Sequence, residues 1–315
     1  MRVSVRELVV LGTASQVPTR TRAHNGYLLR FDGVGVVVDP GEGTQRQLTL
    51  AGARIGSVRH VLITHAHGDH CLGLPGVLQR LSLEGVAGPV HVRFPAAATP
   101  YIERLRDATL YHDHTEVVLH PDGPGVVWEG PGPFRIRAVE LSHGPAEHPV
   151  PTLGWRLEEP DGRRLDRARL QRAGVPPRAR SELVASGHVT VDGRRVELRE
   201  VSDPRPGQVV AVVMDTRDSD GAREAAAGAD LLVIEATFLE ADRSLAEEVG
   251  HLTAAQAAAI GRDVGARRVV LTHFSQRYSD TAGHLAEARA AAPDLDVVVA
   301  ADLDRIPFPP RVGRG

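Results

Sequence analysis

Six short apolar runs, rich in β-branched residues and each stopping at a side chain capable of chemistry, restrict this chain to a layered α/β architecture more tightly than any other feature. They are Val36–Val38 before Asp39, Val61–Thr64 before His65, Val139–Ser142 before His143, Val209–Met214 before Asp215, Leu231–Ile234 before Glu235 and Val269–Thr272 before His273. Their brevity and branching read as buried strands. Between them Gly76–Leu83, the Ala-rich Thr253–Val264 and His284–Ala292 read as helices, and the alternation predicts α/β layers around sheet. In such sheets ligands gather at the carboxyl ends of strands, where all six polar residues fall. Asp122–Pro133, dense in Gly and Pro, reads as turns around a short strand at Val126–Trp128, and the tail Pro307–Gly315 is expected to fray. There is no internal repeat.

The length of 315 residues suits one large domain or two average ones. An apolar content of 42%, a charged content of 24% and no apolar run near ~18 residues predict a globular chain with no membrane partner. The basic side chains are all arginine and the formal charge is −3, so global charge by itself points to neither nucleic acid nor membrane. One cysteine, Cys71, forms no intrachain disulfide, and the N-terminus lacks a signal-peptide pattern; the reducing cytoplasm is the expected compartment. One segment departs from the rest. Asp161–Glu200 holds ten arginines against six acidic residues, a local +4 that leaves −7 on the remainder. It interrupts the strand–helix rhythm, its apolar residues are sparse, and it reads as a protruding insertion. Such a segment is either a solvated charged excursion or a basic arm on an acidic body, suited to phosphate.

His65-Ala66-His67-Gly68-Asp69-His70 sets four metal-binding side chains into six residues directly after a predicted strand. In extended backbone, positions i and i+2 point the same way, so His65 and His67 can share an ion. Gly68 permits a turn, and Asp69 and His70 then address a second position at a helix start. Imidazole and carboxylate without thiolate suit Zn²⁺, with Mn²⁺ also compatible. A lone strand-end histidine is commonly a core or surface residue; four ligand types in one hexad are not. His143, Asp215 and His273 at other strand ends extend the set, and a carboxylate such as Asp215 can bridge two cations ~3.5–4 Å apart.

At this point the chain resembles the metallo-β-lactamase superfamily, whose αββα sandwich carries Asp, HxHxDH, His, Asp and His on successive strand ends; the match runs through Asp39, His65–His70, His143, Asp215 and His273. Within it the chain is similar, over nearly its whole length, to the ribonuclease Z family of tRNA 3′-end endonucleases. ELVVLGTASQVPTRTRAHNGYLL resembles the family's opening strand and loop, and DPGEGTQRQL its first acidic motif. LQRAGVPPRARSELVASGHVTVDGRRV resembles its tRNA-gripping arm. IEATF, GHLTAAQAA and LTHFSQRY resemble its HEAT, histidine and final ligand motifs. Three positions depart from the pattern: Ile234 replaces the His of HEAT, Arg178-Ala179 replaces the Gly-Pro after GVPP, and Ala23 stands where Asn is frequent.

The resemblance implies a four-layer αββα sandwich forming a single domain over residues 1–315, with a protruding basic arm over residues 160–200. It implies two Zn²⁺ per subunit: one on His65, His67 and His143, the other on Asp69, His70 and His273, with Asp215 bridging. Asp69 would be the proton acceptor, His251 the acid for the leaving group, Glu235 the carboxylate that orients it, and Arg277 a phosphate contact. For the third histidine, counting forward along FRIRAVELSH favours His143 and counting back from PTLGWR favours His148. The forward count is preferred, because loops absorb insertions more readily than strands. His112, His114 and His120 read as structural or exposed, and Cys71 as a packing residue. The implied activity is removal of the 3′ trailer from precursor tRNA by a cytoplasmic homodimer, leaving a tRNA 3′-hydroxyl and a trailer 5′-phosphate. The rival is a small-molecule phosphodiesterase or other hydrolase on the same fold.

Overall fold

A computed structural model describes residues 5–311. The described chain divides into two compact units, one of residues 5–158 and 209–309, the other of residues 159–208 and 310–311.

In the larger unit, one sheet uses β1 (Arg6–Gly12), β2 (Gly26–Phe31), β3 (Val34–Val38), β4 (Val58–Leu62), β5 (Val90–Pro95) and β6 (Val117–Asp122). The second begins with β7 (Gly125–Trp128), β8 (Arg135–His143) and β9 (Val150–Glu158). The chain leaves β9 for the smaller unit, whose strands are β10 (Gly162–Leu165), β11 (His188–Val191), β12 (Arg194–Glu197) and β13 (Ser202–Arg205). It returns with β14 (Val209–Val213), β15 (Leu231–Glu235), β16 (Arg268–Thr272), β17 (Asp296–Val299) and β18 (Arg305–Pro307). The two seven-stranded sheets have the orders β18-β1-β2-β3-β4-β5-β6 and β17-β16-β15-β14-β9-β8-β7. The strands β3 to β6 run parallel, as do β14 to β17. Parallel strands covered on both faces need continuous apolar runs, which is why Val209–Val213 and Leu231–Ile234 carry no alternating polar residue.

Three apolar clusters hold the layers together. Val210, Val212 and Met214 point inward against Tyr27, Leu29 and Val38 of the facing sheet. Val209, Ala211 and Val213 point outward against α7 (Asp220–Ala226), α8 (Ala254–Asp263) and α9 (Ala282–Ala291). On the other flank Val9, Val37 and Val61 pack on α1 (Thr44–Leu50), α3 (Leu74–Leu83) and α4 (Thr99–Arg106). This is a four-layer αββα sandwich. Each fully buried valine contributes on the order of 1.5 kcal/mol or more, so the side chains that fix the sheets also fix their edges. The tail is more ordered than the sequence suggests: β18 pairs with β1 and Phe308 is buried, while residues 312–315 lie outside the described residues.

The smaller unit is organised around a handful of side chains. Its apolar residues are few but converge: Leu170, Val175, Leu183, Val189, Val196 and Val201 form a separate core. Around it lie α5 (Arg167–Arg172), capped by Asp166, α6 (Arg180–Ser186), the β11–β12 hairpin and the β10–β13 pair.

Midway along β4, His60 is buried at 3% exposure. Burial, reinforced by His91, Arg93 and His120, pushes its pKa from 6.5 down to about 3. A histidine held neutral in the fold but free to charge when unfolded contributes stability that is complete above pH 6.5. That contribution is lost progressively as pH falls from 6.5 toward 3, at about 1.4 kcal/mol per pH unit. His60→Leu is expected to flatten the acid limb of the unfolding free energy by that slope; superimposable pH profiles would show that His60 does not carry it.

Candidate metal centre

Because β4, β8, β14, β15 and β16 end on one edge, the residues that follow them meet. His65 follows β4 closely, His143 closes β8, Glu235 closes β15, and Asp215 and His273 come just after β14 and β16. Asp39, Asp215 and His273 adopt left-handed backbone, with φ of 45°, 41° and 63°. That conformation costs an L-residue about 1–2 kcal/mol and turns each side chain out of the strand direction into the site. Asp69 and His70 lie on α2 (Gly68–Cys71), which is pressed against the loop after β3: a Cβ on Gly41 would sit 2.2 Å from the Asp69 carbonyl oxygen. At Gly250 a φ of +81° presents the carbonyl oxygen to His143 Nδ1 at 3.1 Å.

The donor atoms fall into two halves. His65 Nε2 lies 2.9 Å from His67 Nδ1, and His143 Nε2 lies 3.3 Å from the same atom. Across from them His70 Nε2 and His273 Nε2 are 3.2 Å apart, with Asp69 Oδ2 at 3.3 and 3.4 Å. Asp215 stands between: Oδ2 faces His65 and His143 at 3.5 and 3.6 Å, Oδ1 faces His70 and His273 at 3.3 and 3.2 Å. His148, by contrast, is exposed in the β8–β9 loop.

These residues fit metal ions. Nitrogens bonded at ~2.0–2.1 Å to a tetrahedral ion stand roughly 3.3 Å apart, close to the spacings here. Ring nitrogens packed this closely have few protons to share, and buried Asp215 Oδ1 has no hydrogen-bond partner among the described residues. Three carboxylates at 8% exposure or less, those of Asp39, Asp69 and Asp215, surround the histidines and call for positive charge. Burial presses His70 down, yet the carboxylates of Asp215, Asp69 and Asp39 outweigh it and hold its pKa well above the ordinary value. His65 is pushed well below 6.5 by burial and His143 to about 4, leaving both neutral and able to ligate. The donors are nitrogen and oxygen only. Cys71 turns its thiol to the His67 carbonyl oxygen and packs in the core, where burial raises its pKa to about 12.

Outer partners fix each ring. Asp39 takes hydrogen bonds from Thr64 N–H and Oγ1 at 2.7 and 2.8 Å and from His70 Nδ1 at 2.8 Å. Glu235, fully buried, holds His251 Nδ1 at 2.9 Å. Burial lowers the His251 pKa, but Glu235 and Asp215 outweigh it and raise the value to about 9, so the ring is cationic at neutral pH. Ile234 is buried among apolar residues behind the site. The cleft above encloses about 640 Å³ and is lined by Asp69, His251, Phe238, His24 and Arg277 among others. Arg277 lies on its rim, 3.6 Å from Asp242.

Sequence reasoning missed Thr64, Thr237, Asn25 and His24. The two threonines adjoin recognised motifs and carry a usable signal, a hydroxyl next to a ligand or carboxylate. His24 and Asn25 are brought in from β2's leading loop, far upstream of the hexad, and nothing in their spacing announces them.

Comparison with known proteins agrees with this geometry. A profile described as Metallo-beta-lactamase superfamily matches residues 19–215. The chain is 53% identical to the Ribonuclease Z of Nocardia farcinica over 98% of this chain and 100% of that one. It is 50% identical to the Ribonuclease Z of Salinispora arenicola over 98% of each. The crystal structure of human tRNase Z, short form, superposes with a TM-score of 0.66 at 24% identity, covering 96% of this chain and 99% of that one.

Proposed function

Because the chain belongs to the ribonuclease Z family within the metallo-β-lactamase superfamily, we infer that it is a metal-dependent endoribonuclease that removes the 3′ trailer of precursor tRNA. The observation that carries the chemistry is Asp215, whose two oxygens each face one half of a nitrogen-rich donor set on the floor of an open cleft. A small-molecule hydrolase on the same fold is disfavoured by full-length identity to named ribonucleases Z.

The proposed roles follow from position. His65, His67 and His143 would hold one ion, Asp69, His70 and His273 the other, and Asp215 would bridge them. Two Zn²⁺ there, with Mn²⁺ also compatible, would make a water more acidic and offset charge gathering on a phosphoryl oxygen. Asp69 carries an ionised carboxylate: burial raises its pKa, but His70 and His273 outweigh that and hold it well below the ordinary range. It orients the attacking water and accepts its proton. Attack at phosphorus expels the ribose 3′-oxygen, a poor leaving group that needs a proton. His251, held through Nδ1 by Glu235, delivers that proton from Nε2. The products are a tRNA 3′-hydroxyl and a trailer 5′-phosphate. Arg277 exchanges Asp242 for a substrate phosphate.

The unit of residues 159–208 is proposed as the arm that grips folded tRNA. Arg167, Arg172, Arg178 and Arg199 are exposed and make no ion pair among the described residues, which leaves them available to phosphates. Double-stranded RNA offers shape and backbone rather than readable bases, so arginines on a small rigid unit suit it. A homodimer in the cytoplasm completes the proposal; no described helix is long and apolar enough to cross a membrane.

Incubation with a precursor tRNA carrying a 3′ trailer, with and without chelator, tests the reading. A single chelator-sensitive cut near the acceptor end with those product ends is expected. Deleting Asp161–Glu200 should weaken tRNA cleavage while sparing a small phosphodiester. An intact precursor alongside turnover of small esters would reverse the assignment, and equal loss of both activities on deletion would remove the arm's role.

A further inference from the structure

We propose that Thr237 is a positioning residue through which one buried carboxylate, Glu235, which holds the acid His251 directly, also orients the metal-site histidine His273. The inference deepens the function proposed above and rests on His273 being a metal ligand.

A count of protons carries it. Glu235 Oε1 accepts from Thr216 N–H at 2.7 Å and from His251 Nδ1 at 2.9 Å. Oε2 accepts from Leu252 N–H at 3.2 Å and lies 2.5 Å from Thr237 Oγ1. The backbone donors have fixed protons, and burial of Glu235 is outweighed by His251, which keeps the carboxyl below its ordinary pKa and therefore ionised. An ionised carboxylate only accepts, so the single hydroxyl proton of Thr237 points to Oε2. The same Oγ1 lies 2.9 Å from His273 Nδ1, and with its proton committed it can only accept there. His273 Nδ1 is thereby the donor in that bond, which turns Nε2 toward Asp215 Oδ1 at 3.2 Å and Asp69 Oδ2 at 3.4 Å.

The opposite half repeats the device. Thr64 Oγ1 donates to Asp39 Oδ2 at 2.8 Å and accepts from His65 Nδ1 at 3.0 Å. Each half of the centre thus holds one histidine through a threonine hydroxyl anchored on an outer carboxylate. A carboxylate behind a ligand histidine raises its basicity, and loss of such a partner typically weakens metal binding ~10–100-fold.

The test compares Thr237→Val, which keeps shape and loses the hydroxyl, with Thr237→Ser, which keeps it. Zn²⁺ affinity is measured by competition with a chromophoric chelator, and folding of the metal-free proteins by thermal unfolding; Thr237→Ala replaces the valine variant if that one does not fold. The expected result is one of two Zn²⁺ weakened ~10–100-fold in the valine variant, with the serine variant restored to within a few-fold. Two tight ions in the valine variant would overturn the proposal, as would a serine variant as weak as valine. Failure of the unsubstituted protein to take up Zn²⁺ would instead overturn the ligand assignment, and this inference with it.

Discussion

Replacing Asp215 by Asn is expected to lower precursor cleavage by ~10³-fold or more and to leave fewer than two metal ions per chain. The side chain is 2% exposed, and between them its two oxygens face both halves of the donor set, Oδ2 toward His65 and His143 and Oδ1 toward His70 and His273. Asparagine has the same volume but no charge, and one of its two ends presents N–H to imidazole nitrogens that need an acceptor or a cation. Burial works against the Asp215 carboxylate, yet His273, His70 and His65 outweigh it and hold its pKa well below the ordinary value, so the native side chain is charged at neutral pH. Metal analysis of the purified variant together with single-turnover cleavage measures both parts. A variant that retained two ions and a rate within tenfold of the parent would remove Asp215 from the bridging position.

Loss of the His251 imidazole in His251→Ala should slow cleavage ~10²–10⁴-fold while leaving metal content unchanged. The ring is held through Nδ1 by Glu235, and its Nε2 stands 3.9 Å from Asp215 Oδ2, at the edge of the donor cluster and on the wall of the cleft. The discriminating measurement is the leaving group. A substrate whose 3′-oxygen is replaced by sulfur departs without protonation, so the variant should cleave it nearly as fast as the parent does. An equal deficit on both substrates would place His251 in positioning rather than proton delivery. The Glu235→Gln variant should follow the same pattern with an added weakening of metal binding, because Glu235 also reaches His273 through Thr237.

Much of this arrangement is legible in the primary structure for a simple reason. Strands buried on both faces must be short, apolar and branched, so the polar residue that ends each one stands out: Asp39, His65, His143, Asp215, Glu235 and His273 are all visible this way. The hexad is visible because its ligands are consecutive. The outer residues are not. Thr64, Thr237 and Asn25 act through hydrogen bonds whose partners are up to 45 residues away in sequence, as for Asn25 and His70, and a threonine or asparagine has too many ordinary uses for its identity to signal a role. In the basic insertion the apolar residues are sparse along the sequence, and only the fold shows that Leu170, Val175, Leu183, Val189, Val196 and Val201 converge into a core of their own.

The sequence by itself determined the layers, the strand ends and the chemistry of the donor set, because hydrophobic patterning and residue type are local properties carried by each segment. Tertiary structure alone decided which histidine at or beyond the end of β8 joins the cluster, since His143 and His148 differ only in whether the strand or the loop contains them. It also decided which oxygen of Asp215 faces which half, and where each hydroxyl proton goes. Those are questions of distance and direction between strands far apart in the chain, fixed only when both sheets close on their common core.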